Sequence, residues 1–281
     1  LLSVLSGLGD SIIFALTKKL KGVDKSIIVW VQYAFALPFL AVLLYLNYPK
    51  NIDSDVYWIA VPNGALLLLS TLLLLKAIQI SKLSVSLPLI SLTPLFLLII
   101  SYFVLGEIPT KFGLVGIILI VIGAYIINLK AGKSLLAPFK SLFTLKGSFY
   151  VIIVAFIWSI TASMFKIGIN GSNAIYYTAL VCFFVSVMMI TLLVKKFKLK
   201  INDIKSNFSM LSCLGIASAF MFASSSYAMA YAIVPYVISL KRSSLIFSIF
   251  IGYFYFNEKN IRNPLAGTII MLVGGVLITL F

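Results

Sequence analysis

The sequence contains no histidine, only two cysteines and few charged residues. Without histidine the chain lacks the commonest metal ligand and a usual general base of enzymes. The two cysteines, Cys182 and Cys213, lie in apolar stretches, so neither a disulfide framework nor a Cys/His metal site is supported. Charged residues make up 10% of the chain, against about 25% in soluble domains. We therefore predict no metal, no cofactor and no water-soluble fold.

Apolar residues occupy 62% of the 281 positions, against roughly 45–50% in soluble domains. A helix needs about 20 such residues to cross a hydrocarbon core of ~30 Å, and the sequence divides into ten runs of about that length. Because these runs lack the alternation of barrel strands, each is predicted as a helix. The predicted fold class is an all-α polytopic membrane protein with ten transmembrane helices. The predicted spans are 1–20, 26–46, 56–76, 82–105, 111–129, 148–168, 173–194, 208–230, 234–256 and 263–281.

The net charge of +15 comes mainly from lysines in the short connections between apolar runs. This distribution is typical of cytoplasmic loops and argues against nucleic-acid binding. The most basic connections are 130–147 and 195–207, which we place in the cytoplasm, with both termini outside. The sequence begins at Leu1 rather than Met, so a short native N-terminus is expected to precede it. We predict an integral protein of the cytoplasmic membrane of a prokaryote.

The second half of the sequence repeats the first at an offset of 151 residues. Agreement is closest at the end of each half, at Glu107/Glu258, Gly116/Gly267 and Gly123/Gly274. Each repeat holds five predicted helices, and because five is odd the second repeat enters the membrane inverted. Inverted repeats place a substrate site near the midplane, between the halves. The predicted domains are a first repeat at 1–129, a basic connecting loop at 130–147 and a second repeat at 148–281.

The end of the first repeat has a central proline, a Gly-Glu turn and a helix spaced by glycines, at Pro94, Gly106-Glu107, Gly116 and Gly123. With these motifs, residues 75–129 resemble the fourth and fifth helices of the EamA-type half of the drug/metabolite transporter superfamily. The second half repeats the pattern with Asn257-Glu258, Gly267 and Gly274, and Trp158-Ser159 is similar to the start common in the family's first helices. The resemblance covers essentially the whole chain. It implies a ten-helix secondary transporter.

The ninth predicted span departs from the family pattern, because Ser244-Leu245 replaces the counterpart of Thr93-Pro94 and Lys241-Arg242 precedes it. Both cations lie about 10–12 Å along the helix axis from the start of this span, at about 1.5 Å per residue. An uncompensated charge at that depth costs at least ~2.5–3.5 kcal/mol. We predict that one of them contacts substrate, and we favour Arg242 because its planar fork binds carboxylate or phosphate bidentately. Snorkelling or a structural ion pair are the alternatives.

Asp10 is the one carboxylate in the middle of a predicted span. Substrate binding and structural pairing with Lys241, Arg242 or Lys166 are both open interpretations. Two cations beside one anion would suit an acidic or zwitterionic solute. Asp10 is also the sole midplane candidate for a proton relay, which makes protons the candidate coupling ion.

Other candidates lie nearer the ends of the predicted spans. Lys76 and Tyr227 are repeat counterparts for which interfacial anchoring is the default interpretation, and they are substrate-binding candidates at the mouth of a cavity. Trp158 is a candidate for the cavity lining. Structural or gating roles are predicted for Glu107, Glu258 and Pro94. Close helix packing is predicted at the glycines, which are Gly116, Gly123, Gly267, Gly274 and Gly275.

The sequence therefore predicts a secondary transporter that moves a small polar or amphipathic metabolite with an anionic group by alternating access. One alternative is a transporter or flippase for a phosphorylated or lipid-linked sugar, and another is a passive channel. The expected partners are a small-molecule substrate, the lipid bilayer and protons. No enzyme is predicted, because the chain lacks a zinc-protease motif, a nucleophile–histidine couple and a phosphate-binding loop.

Overall fold

The regular secondary structure of the chain is helical in the part that the computed structural model describes. The described residues are 1–20, 22–80, 87–128, 136, 146–193, 197–256 and 262–280. The α-helices among them are α1 (Leu2–Lys19), α2 (Lys25–Ala34), α3 (Leu37–Leu46), α4 (Asp55–Ile80), α5 (Thr93–Leu105), α6 (Lys111–Asn128), α7 (Lys146–Asn170), α8 (Ala174–Leu193), α9 (Phe197–Ser206), α10 (Phe208–Tyr231), α11 (Val234–Lys241), α12 (Ser244–Phe256) and α13 (Arg262–Leu280). A 3₁₀ helix, Leu87–Leu92, precedes α5.

Six helical stretches among the described residues are long and apolar enough to cross a membrane. They are Lys25–Leu46, Asp55–Leu74, Lys146–Asn170, Ala174–Leu193, Phe208–Tyr231 and Val234–Gly252. Leu89–Leu105, Lys111–Ile127 and Ala266–Leu280 are shorter apolar helices. These helices confirm the prediction of an all-α membrane protein.

Four segments differ from the predicted outline of spans and loops. In the span predicted at 82–105, a 3₁₀ helix precedes α5. The span predicted at 26–46 is divided between α2 and α3, with Pro38 in the first turn of α3. The span predicted at 234–256 is divided between α11 and α12. The connection at 195–207, read as a loop because of its charge, contains the helix α9. The connection at 130–147 lies mostly outside the described residues.

The chain forms two compact units, each built from both halves of the sequence. The first unit comprises 1–68 and 164–231, and the second comprises 69–163 and 232–281. In the first unit α1, α2 and α10 share an apolar core that includes Ile27, Val31 and Leu214. In the second unit an apolar core includes Ile117, Ile120, Met271 and Ile278, from α6 and α13.

Glycines bring α6 and α13 into backbone contact within the second unit. A Cβ atom on Gly116 would lie 2.6 Å from the Gly274 carbonyl oxygen, and one on Gly123 would lie 2.5 Å from that of Gly267. These distances confirm the predicted close packing at these four positions, with the two helices antiparallel. Gly275 is an exception, because a Cβ there would meet only the Leu240 side chain, at 3.6 Å.

Candidate functional site

The α-helical hydrogen bonding of the fourth and ninth predicted spans is interrupted at equivalent positions of the repeat. The 3₁₀ helix Leu87–Leu92 interrupts the first of them. In the other, Arg242 N donates to the Ser239 carbonyl and Ser243 N donates to the Leu240 carbonyl, both at 3.0 Å. These are i to i−3 bonds, which tighten the helix as 3₁₀ turns do. The repeat offset carries 87–92 onto 238–243, so each repeat has a helix break at the same place.

The Ile90 carbonyl joins the two breaks within the second unit. Pro94 has no N–H, so it cannot donate to the carbonyl four residues earlier, which is that of Ile90. Instead, Thr93 Oγ1 donates to this oxygen at 2.7 Å, and Arg242 Nη2 donates to it at 3.3 Å. Without an N–H at position 94, the Ile90 carbonyl has no i to i−4 backbone donor and accepts side-chain donors. Side-chain reasoning missed Ile90, although the position of Pro94 contains the signal.

Two serines, Ser239 and Ser243, are close to Arg242 in sequence. Arg242 and Lys241 are half-buried, and Ser239 is fully buried. In the described part of the chain, the hydroxyls of Ser239 and Ser243 are buried without a hydrogen-bond partner. An unsatisfied buried hydroxyl costs about 1–3 kcal/mol, so both groups are suited to bind a polar atom of a ligand.

Glu107 contacts the start of α11. Its Oε2 accepts a hydrogen bond from Val234 N at 2.8 Å, in the first turn of that helix, where backbone N–H groups lack intrahelical acceptors. Gly106, with φ of 68°, ends α5 in the left-handed conformation just before Glu107. The Tyr236 hydroxyl accepts from Thr110 N at 2.9 Å, which fixes the same turn against α11. Glu258, the repeat counterpart of Glu107, lies outside the described residues.

Trp158 and Lys76 contact other side chains of the second unit. Trp158 is half-buried, and its Nε1 donates to Ser70 Oγ at 3.1 Å. Lys76 is exposed, and its Nζ lies 5.4 Å from the centre of the Tyr150 ring, a cation–π distance.

Asp10 and Tyr227 belong to the first unit. Asp10 is half-buried in the middle of α1, and Tyr227 packs against the apolar core cluster around Leu40. Lys166 Nζ donates to the Met229 carbonyl in the last turn of α10, where a cation is favourable to the helix dipole. The other described candidates, Lys76, Pro94, Glu107, Trp158, Lys241 and Arg242, belong to the second unit. No group of three or more metal-binding side chains occurs among the residues that were described.

The sequence profile of the EamA-like transporter family matches residues 1–129 and 145–280. The chain belongs to this family. It is therefore an integral membrane protein and a membrane transporter of the drug/metabolite transporter superfamily, which confirms the resemblance carried by the proline, Gly-Glu and glycine motifs.

A solved crystal structure is similar to this EamA-like transporter with a TM-score of 0.80 and 14% sequence identity. The match covers 99% of this chain and 95% of the other. At this identity the similarity is one of fold alone. No curated protein matches the sequence.

Proposed function

We propose that this EamA-like transporter is a secondary transporter of a small polar or amphipathic metabolite that carries an anionic group, and that Arg242 binds that group. The observation that carries the proposal is the position of Arg242. It is a half-buried cation at a helix break, and it donates to a carbonyl of the repeat-related break. Interrupted helices of this kind provide binding sites near the midplane in transporters built from inverted repeats.

The chemistry around Arg242 suits a carboxylate or phosphate. A guanidinium has five N–H donors, so one side chain can hold a backbone carbonyl and also bind an anion. The buried hydroxyls of Ser239 and Ser243, three residues before and one residue after Arg242, are additional donors. Lys241 adds a second positive charge. An amino-acid-like zwitterion or another solute with one anionic group fits this set.

Alternating access would follow from ten helices arranged as two inverted repeats, 1–129 and 148–281, joined by the loop 130–147. The reciprocal contacts of α6 and α13 support this arrangement. Gly116 contacts Gly274, which is the repeat counterpart of Gly123. Gly123 in turn contacts Gly267, which is the repeat counterpart of Gly116. A two-fold relation between the repeats produces such exchanged pairs.

Asp10 is the proposed proton carrier, because it is a half-buried carboxylate in the middle of α1. Asp10→Asn should abolish uptake driven by a pH gradient and spare substrate exchange, both measured in proteoliposomes. Full gradient-driven uptake by Asp10→Asn would remove Asp10 from the coupling mechanism. The remaining candidates, Lys76, Tyr227 and Trp158, are proposed to line or flank the path of the solute.

A phosphorylated or lipid-linked sugar is the second candidate substrate. Lys241 and Arg242 are adjacent half-buried cations, and a phosphate with two charges would suit both of them. A passive channel is the candidate from another class. Saturable counterflow in proteoliposomes identifies a carrier and would exclude the channel.

The deciding experiment begins with a thermal-shift screen against amino acids, nucleotides, sugar phosphates and quaternary amines, since a ligand stabilises the state that it binds. For the ligand found, Arg242→Ala should weaken binding by about 10- to 150-fold, the equivalent of one charge-assisted contact. Arg242→Lys should bind the ligand more tightly than Arg242→Ala but more weakly than the wild type, because lysine keeps the charge but not the planar fork of donors.

Lys50→Ala is the matched control, because Lys50 is an exposed cation in the connection after α3. It should bind with wild-type affinity. A well-folded Lys241→Ala, Arg242→Ala protein that binds with wild-type affinity would contradict the proposal, as would a screen in which only simple cations bind.

A further inference from the structure

We propose that one end of the first unit binds the phosphate groups of anionic phospholipids. The surface consists of the end of α1, the start of α2 and the end of α9, and its described lysines are Lys18, Lys19, Lys25 and Lys205. We call it the basic end. The proposal depends on where these four side chains lie and on the charge that they share.

Helix contacts place the four lysines at the same end of the unit. Gly9 of α1 packs against Met221 of α10, where an added Cβ would lie 2.8 Å from the Met221 Cβ. Leu20, which follows α1, shares a core with Leu211 near the start of α10, so α1 and α10 are antiparallel. At about 1.5 Å per residue, Lys19 lies about 15 Å along α1 from the Gly9 contact, in the direction of the α10 start.

The same core connects α2 and α9 to this end. Val23 and Ile27, on either side of the α2 start, belong to the core that contains Leu211. Ile204 of α9 is half-buried and packs against it. The exposed Lys25 lies between Val23 and Ile27, and the exposed Lys205 directly follows Ile204.

The charge of the basic end is strongly positive. Lys19, Lys25 and Lys205 are exposed and Lys18 is half-buried. The acidic residues of segments 18–25 and 195–205 are Asp24 and Asp203, and the lysines outnumber them. Asp24 caps α2 by accepting a hydrogen bond from Ser26 N at 2.8 Å. The remaining lysines of these connections, by sequence alone, are Lys21, Lys195, Lys196, Lys198 and Lys200.

The basic end lies at the ends of membrane-spanning helices, which is the level of the lipid headgroups. Lysines at this level are attracted to anionic lipids. Phe208, three residues after Lys205, is 59% exposed and offers an apolar ring beside the lysines. The opposite end of the unit differs in charge, because Asp53 and Asp55 are exposed there beside Lys50. The basic end therefore fits a bilayer phosphate held among several lysines.

The test compares full-length protein in nanodiscs of phosphatidylcholine with protein in nanodiscs that also contain phosphatidylglycerol. Native mass spectrometry measures retained phosphatidylglycerol, and thermal unfolding measures stabilisation. Wild-type protein should retain phosphatidylglycerol and unfold at a higher temperature in its presence. Each single Lys→Gln change at Lys19, Lys25 or Lys205 should lower the affinity for phosphatidylglycerol by about fivefold.

The control protein carries Lys50→Gln and Lys111→Gln, which remove two exposed lysines elsewhere, and it should behave as wild type. Equal unfolding temperatures of all proteins in phosphatidylcholine show that the variants fold. If the combined Lys19→Gln, Lys25→Gln, Lys205→Gln protein keeps the wild-type preference, the proposal is wrong. If inorganic phosphate at moderate concentration stabilises the protein as much as phosphatidylglycerol does, the site takes free phosphate and the lipid assignment is overturned.

Discussion

At the scale of single residues, the contact between Arg242 and Ile90 depends on a hydrogen bond that Pro94 cannot make. In Pro94→Ala the restored N–H would give the Ile90 carbonyl an intrahelical donor. We therefore expect Arg242→Ala to destabilise the wild type more than it destabilises Pro94→Ala. The difference should be about 0.5–1.5 kcal/mol, the net value of one hydrogen bond.

The measurement is a double-mutant cycle on unfolding free energies in one detergent. Thr93 also donates to the Ile90 carbonyl, at 2.7 Å, so all four proteins should retain Thr93. Equal effects of Arg242→Ala in the two backgrounds would show that Pro94 and Arg242 act independently.

The sequence predicts a role for Arg242 in this contact but not for Ile90. Arg242 was identifiable because a cation deep in an apolar span requires a partner or a wet surface. Pro94 was identifiable because a proline inside a span interrupts hydrogen bonding. Ile90 contributes a backbone carbonyl, which every residue has, so the only sequence signal for it is the position of Pro94 four residues later. Contacts with the start of a helix, such as that of Glu107 with Val234, likewise require coordinates.

At the scale of secondary-structure elements, proline explains only one of the two helix breaks. Leu245, the counterpart of Pro94, has an N–H, and it donates to the Arg242 carbonyl at 3.0 Å. The second break therefore results from i to i−3 bonding without a proline, and the sequence contained no local signal for it. The helix α9 was missed for a different reason. It is ten residues long with three lysines, and such a short charged segment resembles a loop.

Neighbouring glycines of α13 allow a matched test of helix packing. Gly274→Ala would place a Cβ 2.6 Å from the Gly116 carbonyl oxygen, so the backbones of α6 and α13 would have to separate. We expect a loss of about 1–3 kcal/mol, as for overpacked cores, and a lower unfolding temperature. Gly275→Ala meets only Leu240 Cδ2 at 3.6 Å and should fold with nearly wild-type stability.

Thermal unfolding of the two purified variants in the same detergent provides the comparison. Equal stability of Gly274→Ala and Gly275→Ala would contradict the close contact of α6 with α13. The glycine spacing in the sequence was sufficient to predict this packing, but it could not distinguish Gly274 from Gly275, because their difference depends on which side of α13 faces α6.

At the scale of the whole molecule, composition and motifs were sufficient for the class of protein. An apolar fraction of 62% excludes a soluble fold, and the repeated glutamate and glycine positions lead to the transporter family whose profile the chain matches. The substrate does not follow in the same way. It depends on a few polar groups, such as Arg242, Ser239 and Ser243, whose arrangement is set by helix breaks rather than by composition.

The orientation of the molecule in the membrane is predicted from its charge. The basic end of the first unit should lie in the cytoplasm, because Lys and Arg are enriched in cytoplasmic loops, and the end with Asp53 and Asp55 should lie outside. Single cysteines at two exposed serines, Ser206 after Lys205 and Ser54 before α4, test this assignment. Cys182→Ala and Cys213→Ala provide the cysteine-free background. A membrane-impermeant maleimide applied to intact cells should label Ser54→Cys and should label Ser206→Cys only after lysis. The reverse pattern would show that charge does not determine the orientation of this chain, and it would place the basic connections outside the cell.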